Sequence, residues 1–253
     1  MTSSPYFKNT HMTVYKNSAF QPAYDPVVCE EALCIIVGEY ELCSLIFSPS
    51  AEKELAIGFL ISEGLLDENN KVISLKHIAE EDKNKIIIST FNPIPQDKLS
   101  KKTIMQKASD KCANLKDNYT HFSARDILDR IHELDKSSYT FRMTGGVHSA
   151  ALGNCEKTIV RYEDIGRHNA VDKVFGYAYL NQVTLHDKAL ILSGRVASEI
   201  VLKAAFNAIP FIISRSAPTL KAIELATEFG ITIIGFARES RFNVYTHPHR
   251  VML

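Results

Sequence analysis

The second half of this 253-residue chain alternates between short apolar runs and amphipathic stretches, and this alternation constrains the fold more than any other feature. The apolar runs predict strands, and the stretches between them carry apolar residues at helical spacing. Strands and helices in alternation are typical of an α/β layer with a largely parallel sheet. The predicted strands are residues 158–162, 189–193, 211–214 and 232–236, with 242–246 as an edge strand, and the predicted helices are 147–152, 169–180, 197–208 and 219–229.

Composition divides the chain into three parts. Residues 1–24 are polar and aperiodic and predict an extended arm or a partly ordered tail. Residues 25–120 predict a smaller, β-rich part, and residues 121–253 hold the α/β layer, in which Ser123 and Asp126 predict a capping box at the first helix. The predicted fold class is therefore α/β (α+β overall).

The β-rich part predicts two strand pairs and one helix. Pro49 directly after Ser48 is typical of a helix start, with Ser48 as the N-cap. Apolar residues at helical spacing continue this helix, and Gly64 predicts its end. The predicted strands are residues 33–37 paired with 40–47, and residues 72–79 paired with 85–91.

Residues 92–118 carry prolines and lysines with little periodicity and predict a long mobile loop. Loops of this length are uncommon without a function. Cys112 lies in this segment, and nearby positive charge lowers the pKa of a thiol and raises its thiolate fraction. Cys112 is therefore the candidate nucleophile, with an inert loop cysteine as the alternative. The lysines that precede it are Lys101, Lys102, Lys107 and Lys111.

Charge and composition exclude several function classes. The 29 Lys and Arg residues balance the 29 Asp and Glu residues, so the chain lacks the basic excess of a nucleic-acid or polybasic membrane binder. No apolar run approaches the ~20 residues of a membrane span, and the first residues lack the apolar segment of a secretory signal. Five cysteines without C-x-x-C pairing predict neither a disulfide framework nor a metal site. We expect a cytoplasmic protein with no nucleic-acid and no membrane partner.

Four loops at predicted strand–helix junctions place small residues beside Arg, His and Ser. In an α/β sheet such loops gather at the carboxyl ends of the strands, where ligands bind. Glycine lets the backbone approach a phosphate, a helix N-terminus offers free N–H groups, and arginine adds bidentate donors. The loops together predict a pocket for an anionic, nucleotide-like ligand, and ordinary turn chemistry is the alternative for each of them. The candidate binding residues are Gly145, Gly146, His148, Arg167, His168, Arg195 and Arg215.

A further candidate segment begins at the end of the predicted strand 232–236 and contains two arginines. Arg238 and Arg241 at a sheet edge suit phosphate contacts, and a solvated turn is the alternative. Neither a Walker loop nor a dinucleotide fingerprint occurs, so ATP hydrolysis and hydride transfer lack their usual sequence support. The segment comprises Phe236, Ala237, Arg238, Glu239, Ser240 and Arg241.

Five motifs of the second half resemble the formate dehydrogenase accessory sulfurtransferase family. They are TGGVHSAAL, EDIGRHNAVDKV, SGRVASEIVLKAA, SRSAPT and GFARESRFNVYTHPHR, and the first-half segment ELAIGFLISEGLL resembles that family's first helix. The resemblance runs from about residue 25 to residue 250. It implies a cytidine-deaminase-like, three-layer C-terminal domain and a homodimer. The H-x-E and P-C-x-x-C signature of zinc deaminases is absent, so deamination does not follow from that fold.

The resemblance also implies a function. Such a protein takes sulfur from a cysteine desulfurase as a cysteine persulfide. It passes the sulfur to the bis(molybdopterin guanine dinucleotide) molybdenum cofactor before this enters the formate dehydrogenase apoenzyme. Residues 236–241 match the stretch assigned in the family to this cofactor. The family's loop carries a C-G-x-C-G pair, whereas this chain has Cys112 alone. One thiolate suffices to receive sulfur, since the attacking thiolate needs no resolving partner, so Cys112 is the predicted carrier.

Two other functions stay open on the sequence. One is a non-catalytic chaperone that binds the molybdenum cofactor for formate dehydrogenase maturation, and the missing second cysteine motivates it. The other is a nucleotide-modifying enzyme that reuses the deaminase-like layer, and the absent zinc ligands count against it.

Overall fold

A computed structural model of the chain describes residues 6–67, 69–80, 83–94 and 100–253. The strands are β1 (Phe7–Lys16), β2 (Ala19–Val28), β3 (Glu31–Val37), β4 (Tyr40–Phe47), β5 (Val72–Glu80), β6 (Lys83–Thr90), β7 (Phe122–Ser123), β8 (His148–Gly153), β9 (Thr158–Asp164), β10 (Ala189–Leu192), β11 (Phe211–Ser214), β12 (Thr232–Arg238), β13 (Arg241–Val244) and β14 (Val251–Met252). The helices are α1 (Glu52–Ser62), α2 (Lys101–Lys111), α3 (Ala124–Ser137), α4 (Tyr139–Thr144), α5 (Arg167–Leu180), α6 (Ser198–Phe206) and α7 (Leu220–Phe229). Within the described ranges, every helix is too short or too polar to cross a membrane.

The first described residues form a long β-hairpin. β1 and β2 pair antiparallel along their whole length, from Phe7 opposite Val28 to the turn at Asn17 and Ser18. Both turn residues have positive φ angles, 52° and 63°, which matches the twist of a tight hairpin. The structure thus replaces the predicted arm or partly ordered tail with a regular hairpin, and residues 1–5 lie outside the described part. Periodicity misses these strands because most of their side chains are exposed.

The β-rich part contains a four-stranded mixed sheet of order β4-β3-β6-β5. β3 pairs antiparallel with β4 and parallel with β6, and β5 pairs antiparallel with β6. Both predicted strand pairs are therefore confirmed. α1 packs against this sheet, and the buried side chains of the shared core include Leu33, Ile35, Phe47, Leu55 and Ile88.

The C-terminal layer contains a six-stranded sheet of order β13-β12-β11-β10-β8-β9. Only β10, β11 and β12 run parallel, whereas β8, β9 and β13 run antiparallel to their neighbours. The predicted strands of this region are confirmed, but the largely parallel sheet is wrong. The predicted helix at 147–152 is also wrong, because this segment is strand β8. Ala150, Ala151 and Leu152 are all buried, and a fully buried apolar run has no period that separates strand from helix.

Helices cover both faces of this sheet and make a mixed α/β layer. α3 packs on one face with Ile191, whereas α5, α6 and α7 share the other face with Leu190. This alternation along β10 is the period of a strand that is buried on both sides. α3 begins with the predicted capping box, in which the Ser123 side chain and the Asp126 side chain each accept the other's backbone N–H.

The segment predicted as a mobile loop, residues 92–118, contains helix α2. Ile104, Ala108 and Cys112 recur at a spacing of one helical turn and pack into the core that α2 shares with α6. The mobile-loop prediction is therefore wrong for α2, and residues 95–99 lie outside the described part. The lysines between these apolar positions hide the stripe in the sequence.

The two halves of the chain meet where α1 crosses α5. Gly58 of α1 faces the backbone of Asp172, and Gly176 of α5 faces the backbone of Glu54. A Cβ at Gly58 would lie 1.7 Å from the carbonyl oxygen of Asp172, so the crossing requires glycine. Ser62 at the end of α1 donates a 2.6 Å hydrogen bond to the Asp172 carboxylate. The three-part division of the chain stays a prediction.

Ser48 is buried at this junction and does not cap α1. Its backbone N–H donates to Asp164 at 3.1 Å, and its hydroxyl accepts the N–H of Ile165 at 3.1 Å. Asp164 also pairs with the fully buried Lys173 at 2.6 Å. The predicted N-cap is therefore wrong, since the helix begins after Ala51 and Ser48 instead links β4 to the C-terminal layer.

Candidate functional site

Loops from the C-terminal layer enclose a cavity of about 730 Å³, here called the arginine cavity. Several of the predicted binding residues line it together. Those residues are Gly145, Gly146, His148, Arg195, Arg215 and Arg238. The other lining residues are Asp135, Ser138, Phe141, Arg142, Val147, Ser149, Ser193, Gly194 and Ser216.

Sheet topology explains why these loops converge. β10, β11 and β12 are parallel, so the residues after their carboxyl ends lie at one edge of the sheet, where ligands bind in α/β layers. β8 runs antiparallel to β10, with Ala150 opposite Leu192. The amino end of β8, which carries His148, therefore lies at the same edge. His148 thus lies beside the strand-end loops, as predicted, although the helix predicted for its segment is wrong.

Hydrogen bonds between the loops fix the cavity wall. Ser149 donates its backbone N–H to Ser193 Oγ at 2.9 Å. Ser214 Oγ donates to the carbonyl of Gly194 at 2.7 Å and accepts the N–H of Ser216 at 3.0 Å. The serines predicted as loop residues thus hold the backbone of one loop against the next, which leaves the arginine side chains available for a ligand.

Two of the cavity's arginines are anchored through their guanidinium groups. Arg215 pairs with Asp135 at 3.0 Å, and Arg238 Nε donates to the carbonyl of Arg215 at 3.2 Å. A guanidinium keeps further donors after one such contact, because it carries five N–H groups in a fixed fork. The cavity therefore presents several fixed cationic donors, an arrangement suited to phosphate oxygens.

Burial shifts the pKa values of two ionisable groups in the cavity. Burial lowers the pKa of His148, and the nearby Arg167 and Arg195 lower it further. Burial also raises the pKa of Asp135, although the positive charge of Arg215 opposes this. A neutral imidazole beside arginines is a group that gains a proton when an anion binds.

Arg167 and His168 do not line the arginine cavity. Arg167 lies directly behind it, in a narrow recess shared with His148, Gly194 and Arg195. His168 faces a second cavity of about 430 Å³, where it lies 3.3 Å from the Glu199 carboxylate. Burial lowers the pKa of His168. Arg167 Nε donates to His168 Nε2 at 3.3 Å, so the two side chains touch although they line different cavities.

Only Arg238 of the segment 236–241 reaches the cavity. Phe236 and Glu239 have positive φ angles of 52° and 49°, and the pairing of β12 with β13 is irregular at this point. Ala237 is buried on the α3 face of the sheet, whereas Arg241 is exposed at the start of β13. Arg238 and Arg241 are partners across the β12–β13 ladder, but Arg238 lines the cavity and Arg241 does not.

Cys112 lies outside the arginine cavity. It follows α2 directly, is 3% exposed and approaches the carbonyl oxygen of Ala205 with its Sγ at 3.5 Å. Ala205 is near the end of α6, roughly 10 Å along the helix axis from its start beside Arg195. Burial raises the pKa of Cys112 to about 12. The predicted effect of the lysines on this thiol is therefore wrong, because desolvation outweighs them.

The sequence did not predict three polar residues of the cavity: Asp135, Ser138 and Arg142. They lie at the end of α3 and in α4, before the glycine loop. Arg142 donates to the backbone carbonyls of Asp135 and Lys136, so α4 folds back over the end of α3. A signal was present, since α3 has an apolar stripe and a charged end, and the short helix α4 alone separates it from the Gly145–Gly146 turn.

Comparison with known proteins places this chain in a family. The family model described as the FdhD/NarQ family matches residues 28–252. The chain is 36% identical to the sulfur carrier protein FdhD of Bacillus pumilus and 34% identical to that of Bacillus subtilis, with 94% of each chain covered in both comparisons. A crystal structure described as that of a formate dehydrogenase accessory protein from Desulfotalea psychrophila superposes with a TM-score of 0.83 at 26% identity, and the match covers 98% of this chain and 100% of that one. The chain therefore belongs to the FdhD/NarQ family.

Proposed function

We propose that this protein is a sulfur carrier required for formate dehydrogenase activity. It takes sulfur from a cysteine desulfurase as a persulfide on Cys112. It then transfers that sulfur to the bis(molybdopterin guanine dinucleotide) molybdenum cofactor, which is bound as a substrate before it enters the apoenzyme. Relatives that cover nearly the whole chain are named as sulfur carriers, and this supports the general role.

The observation that carries the proposal is the arginine cavity. Arg195, Arg215 and Arg238 project from successive strand ends into one space of about 730 Å³. A space of this size accommodates a nucleotide-sized ligand, and the serine and glycine loops let the backbone approach its phosphates. The guanine dinucleotide ends of the cofactor carry the anionic groups that such a cavity binds.

The proposed transfer to Cys112 is a thiol exchange without net oxidation. The Cys112 thiolate attacks the outer sulfur of the donor persulfide, a new S–S bond forms on Cys112, and the donor cysteine leaves as a thiolate. Burial and a pKa of about 12 oppose this step in the described conformation. Sulfur transfer therefore requires α2 to separate from α6, which frees Cys112 for the donor.

A second candidate is a non-catalytic chaperone that binds the cofactor without carrying sulfur. The position of Cys112 favours it, because this thiol is buried and lies at the far end of α6 from the cavity. The chaperone keeps every role of the arginine cavity and dispenses with the thiol.

Intact-protein mass spectrometry distinguishes these functions. The protein is incubated with an active cysteine desulfurase and cysteine, and Cys112→Ser is compared with the wild type. Cys155→Ser is the matched control, because Cys155 is exposed. A gain of one sulfur atom in the wild type and the control, but not in Cys112→Ser, supports the carrier. No gain in any of the three, with GDP binding intact, supports the chaperone.

The remaining parts of the proposal come from the family resemblance. They are a homodimer, a cytoplasmic location and a cytidine-deaminase-like arrangement of the C-terminal layer. Sedimentation of the purified chain tests the homodimer. Assay of nucleotide deamination tests whether the layer retains enzyme chemistry of that kind.

A further inference from the structure

One ring nitrogen of His168 lies near two side chains that require opposite protonation states of it. Nε2 is 3.3 Å from Nε of Arg167 and 3.3 Å from a carboxylate oxygen of Glu199. Nε of Arg167 can only donate, so it needs Nε2 without a proton, whereas the ionised Glu199 can only accept and needs Nε2 with one. His168 therefore forms a hydrogen bond with one of these partners at a time.

Charged groups from three helices surround the His168 ring. They are Arg167 and Asp172 of α5, Glu199 and Lys203 of α6, and Glu63 at the end of α1. Among the described residues that line the second cavity, α2 contributes only the apolar Ile104. Burial lowers the pKa of His168, the two cations lower it further, and the carboxylates of α5 and α6 oppose this. His168 is therefore neutral at pH 7 and accepts the N–H of Arg167.

Arg167 connects this histidine to the arginine cavity. It lies in the narrow recess behind the cavity, beside His148 and Arg195, which line both spaces. A Cβ at Gly194 would lie 3.9 Å from Cβ of Arg167 and 3.3 Å from Nδ1 of His148, so a wall of one glycine separates Arg167 from the cavity. To the described residues, the Arg167 side chain makes a hydrogen bond only through Nε. Its remaining N–H groups are therefore available to an anion.

We propose that His168 is a positioning residue that exchanges Arg167 for Glu199 when an anion enters the arginine cavity. In the free protein, the neutral ring keeps Arg167 in the recess. A bound anion attracts the Arg167 guanidinium, and its hydrogen bond to Nε2 breaks. Nε2 then takes a proton from solvent and donates it to Glu199. The inference rests on the proposed function, because an anionic ligand has to occupy the cavity, and it adds a proton-linked control of one arginine.

NMR of the ring nitrogens tests the free and the bound state. Long-range ¹H–¹⁵N spectra at pH 8 should show His168 with its proton on Nδ1 and with Nε2 unprotonated, and loss of the signal in His168→Gln assigns it. Saturation with inorganic pyrophosphate should move the titration of this ring to higher pH, because a cation leaves Nε2. A proton on Nε2 in the free protein at pH 8 overturns the proposal, since that tautomer cannot accept from Arg167.

Glu199→Gln tests the exchange without altering the arginine cavity. Glu199 is 69% exposed and lies outside the lining of that cavity, so the variant removes only the acceptor for protonated His168. At pH 6 it should bind pyrophosphate about two- to fivefold more weakly than the wild type, the range for an exposed ion pair. At pH 9 the two proteins should bind it equally. Calorimetry in buffers of different ionisation enthalpy should count fewer protons taken up by the variant at pH 6.

A control variant separates this exchange from a general effect of charge. Glu224→Gln removes an exposed carboxylate of α7 that pairs with Lys221, and it should change neither the affinity nor the proton count. Glu199 is not among the groups that shift the pKa of His148, so the protons taken up by His148 stay in the count. A wild-type count in Glu199→Gln with binding intact overturns the exchange and leaves the proposed function standing. A wild type that does not bind pyrophosphate overturns both.

Discussion

The arginine cavity and the surroundings of Cys112 differ in almost every physical property. The cavity is open, is lined by arginines and serines, and is built from strand ends that the sheet holds in place. Cys112 is enclosed between α2 and α6, with a pKa of about 12. The proposed ligand would therefore find the cavity accessible in the described conformation, whereas the proposed sulfur transfer would require a movement first. We therefore expect the proposed ligand binding and the proposed sulfur transfer to be separable, so that a variant can affect one alone.

Thiol reactivity gives the largest expected contrast. At pH 8 we expect Cys112 to react with iodoacetamide about a thousandfold more slowly than Cys155, because a pKa of about 12 leaves little thiolate and the side chain is buried. Its rate should rise about tenfold per pH unit up to pH 10, since the thiolate fraction does so below the pKa. Peptide mass spectrometry follows each cysteine, and unfolding in guanidinium should remove the difference. Equal rates in the folded protein would show that α2 does not enclose the thiol.

Variants at the crossing of α1 and α5 test how much the packing of the two halves of the chain contributes to stability. Gly58→Ala should destabilise the protein by about 3 kcal/mol, because the new methyl group would overlap the backbone of Asp172. Gly38→Ala is the control, since nothing lies within 4 Å of its Cβ position and its cost comes only from the positive φ, about 1 kcal/mol. Urea unfolding measures both. An equal loss in the two variants would mean that the helices separate easily.

Sequence patterns predicted the secondary structure of the fold better than the detailed lining of the arginine cavity. The central strands and the capping box of Ser123 were predictable, because local periodicity and side-chain chemistry decide them. The loop arginines were predictable as a set, since α/β topology gathers loops at one edge. The sequence could not predict which residues of one motif line the same cavity. Arg167 and His168 are adjacent in the chain, yet they line different cavities.

The thiol shows the limit of inference from neighbours in sequence. The lysines near Cys112 predict a low pKa, but the side chain is buried between two helices and desolvation dominates. Burial depends on the packing of α2 against α6, which joins positions far apart in the chain. The β1–β2 hairpin was not predicted for the opposite reason. Its side chains are mostly exposed, so its sequence has no apolar pattern.

Variants of Arg238 and Arg241 test which of the two arginines contacts the ligand of the cavity. Arg238→Ala should weaken GDP binding about tenfold, the scale of one lost charge-assisted contact, because this side chain lines the cavity. Arg241→Ala should change the affinity less than twofold, since Arg241 is exposed and lies outside the lining. Calorimetry at constant salt compares the two charge losses directly. A similar loss in both variants would place the phosphate site at the sheet edge, as the sequence pattern suggested.

The smallest expected effect concerns protons in the cavity. Burial, with the charges of Arg167 and Arg195, lowers the pKa of His148 in the free protein, so the imidazole is neutral at pH 7. A bound phosphate favours the protonated form and raises that pKa, so binding takes up a proton between the two values. Affinity for pyrophosphate should therefore rise a few-fold as the pH falls through the pKa of the complex, and should level off below that of the free protein. His148→Gln should remove the part of this dependence that the imidazole contributes, while the titration of the ligand itself remains. Calorimetry in buffers of different ionisation enthalpy counts the protons taken up, and an unchanged count in His148→Gln would mean that the imidazole does not contact the anion.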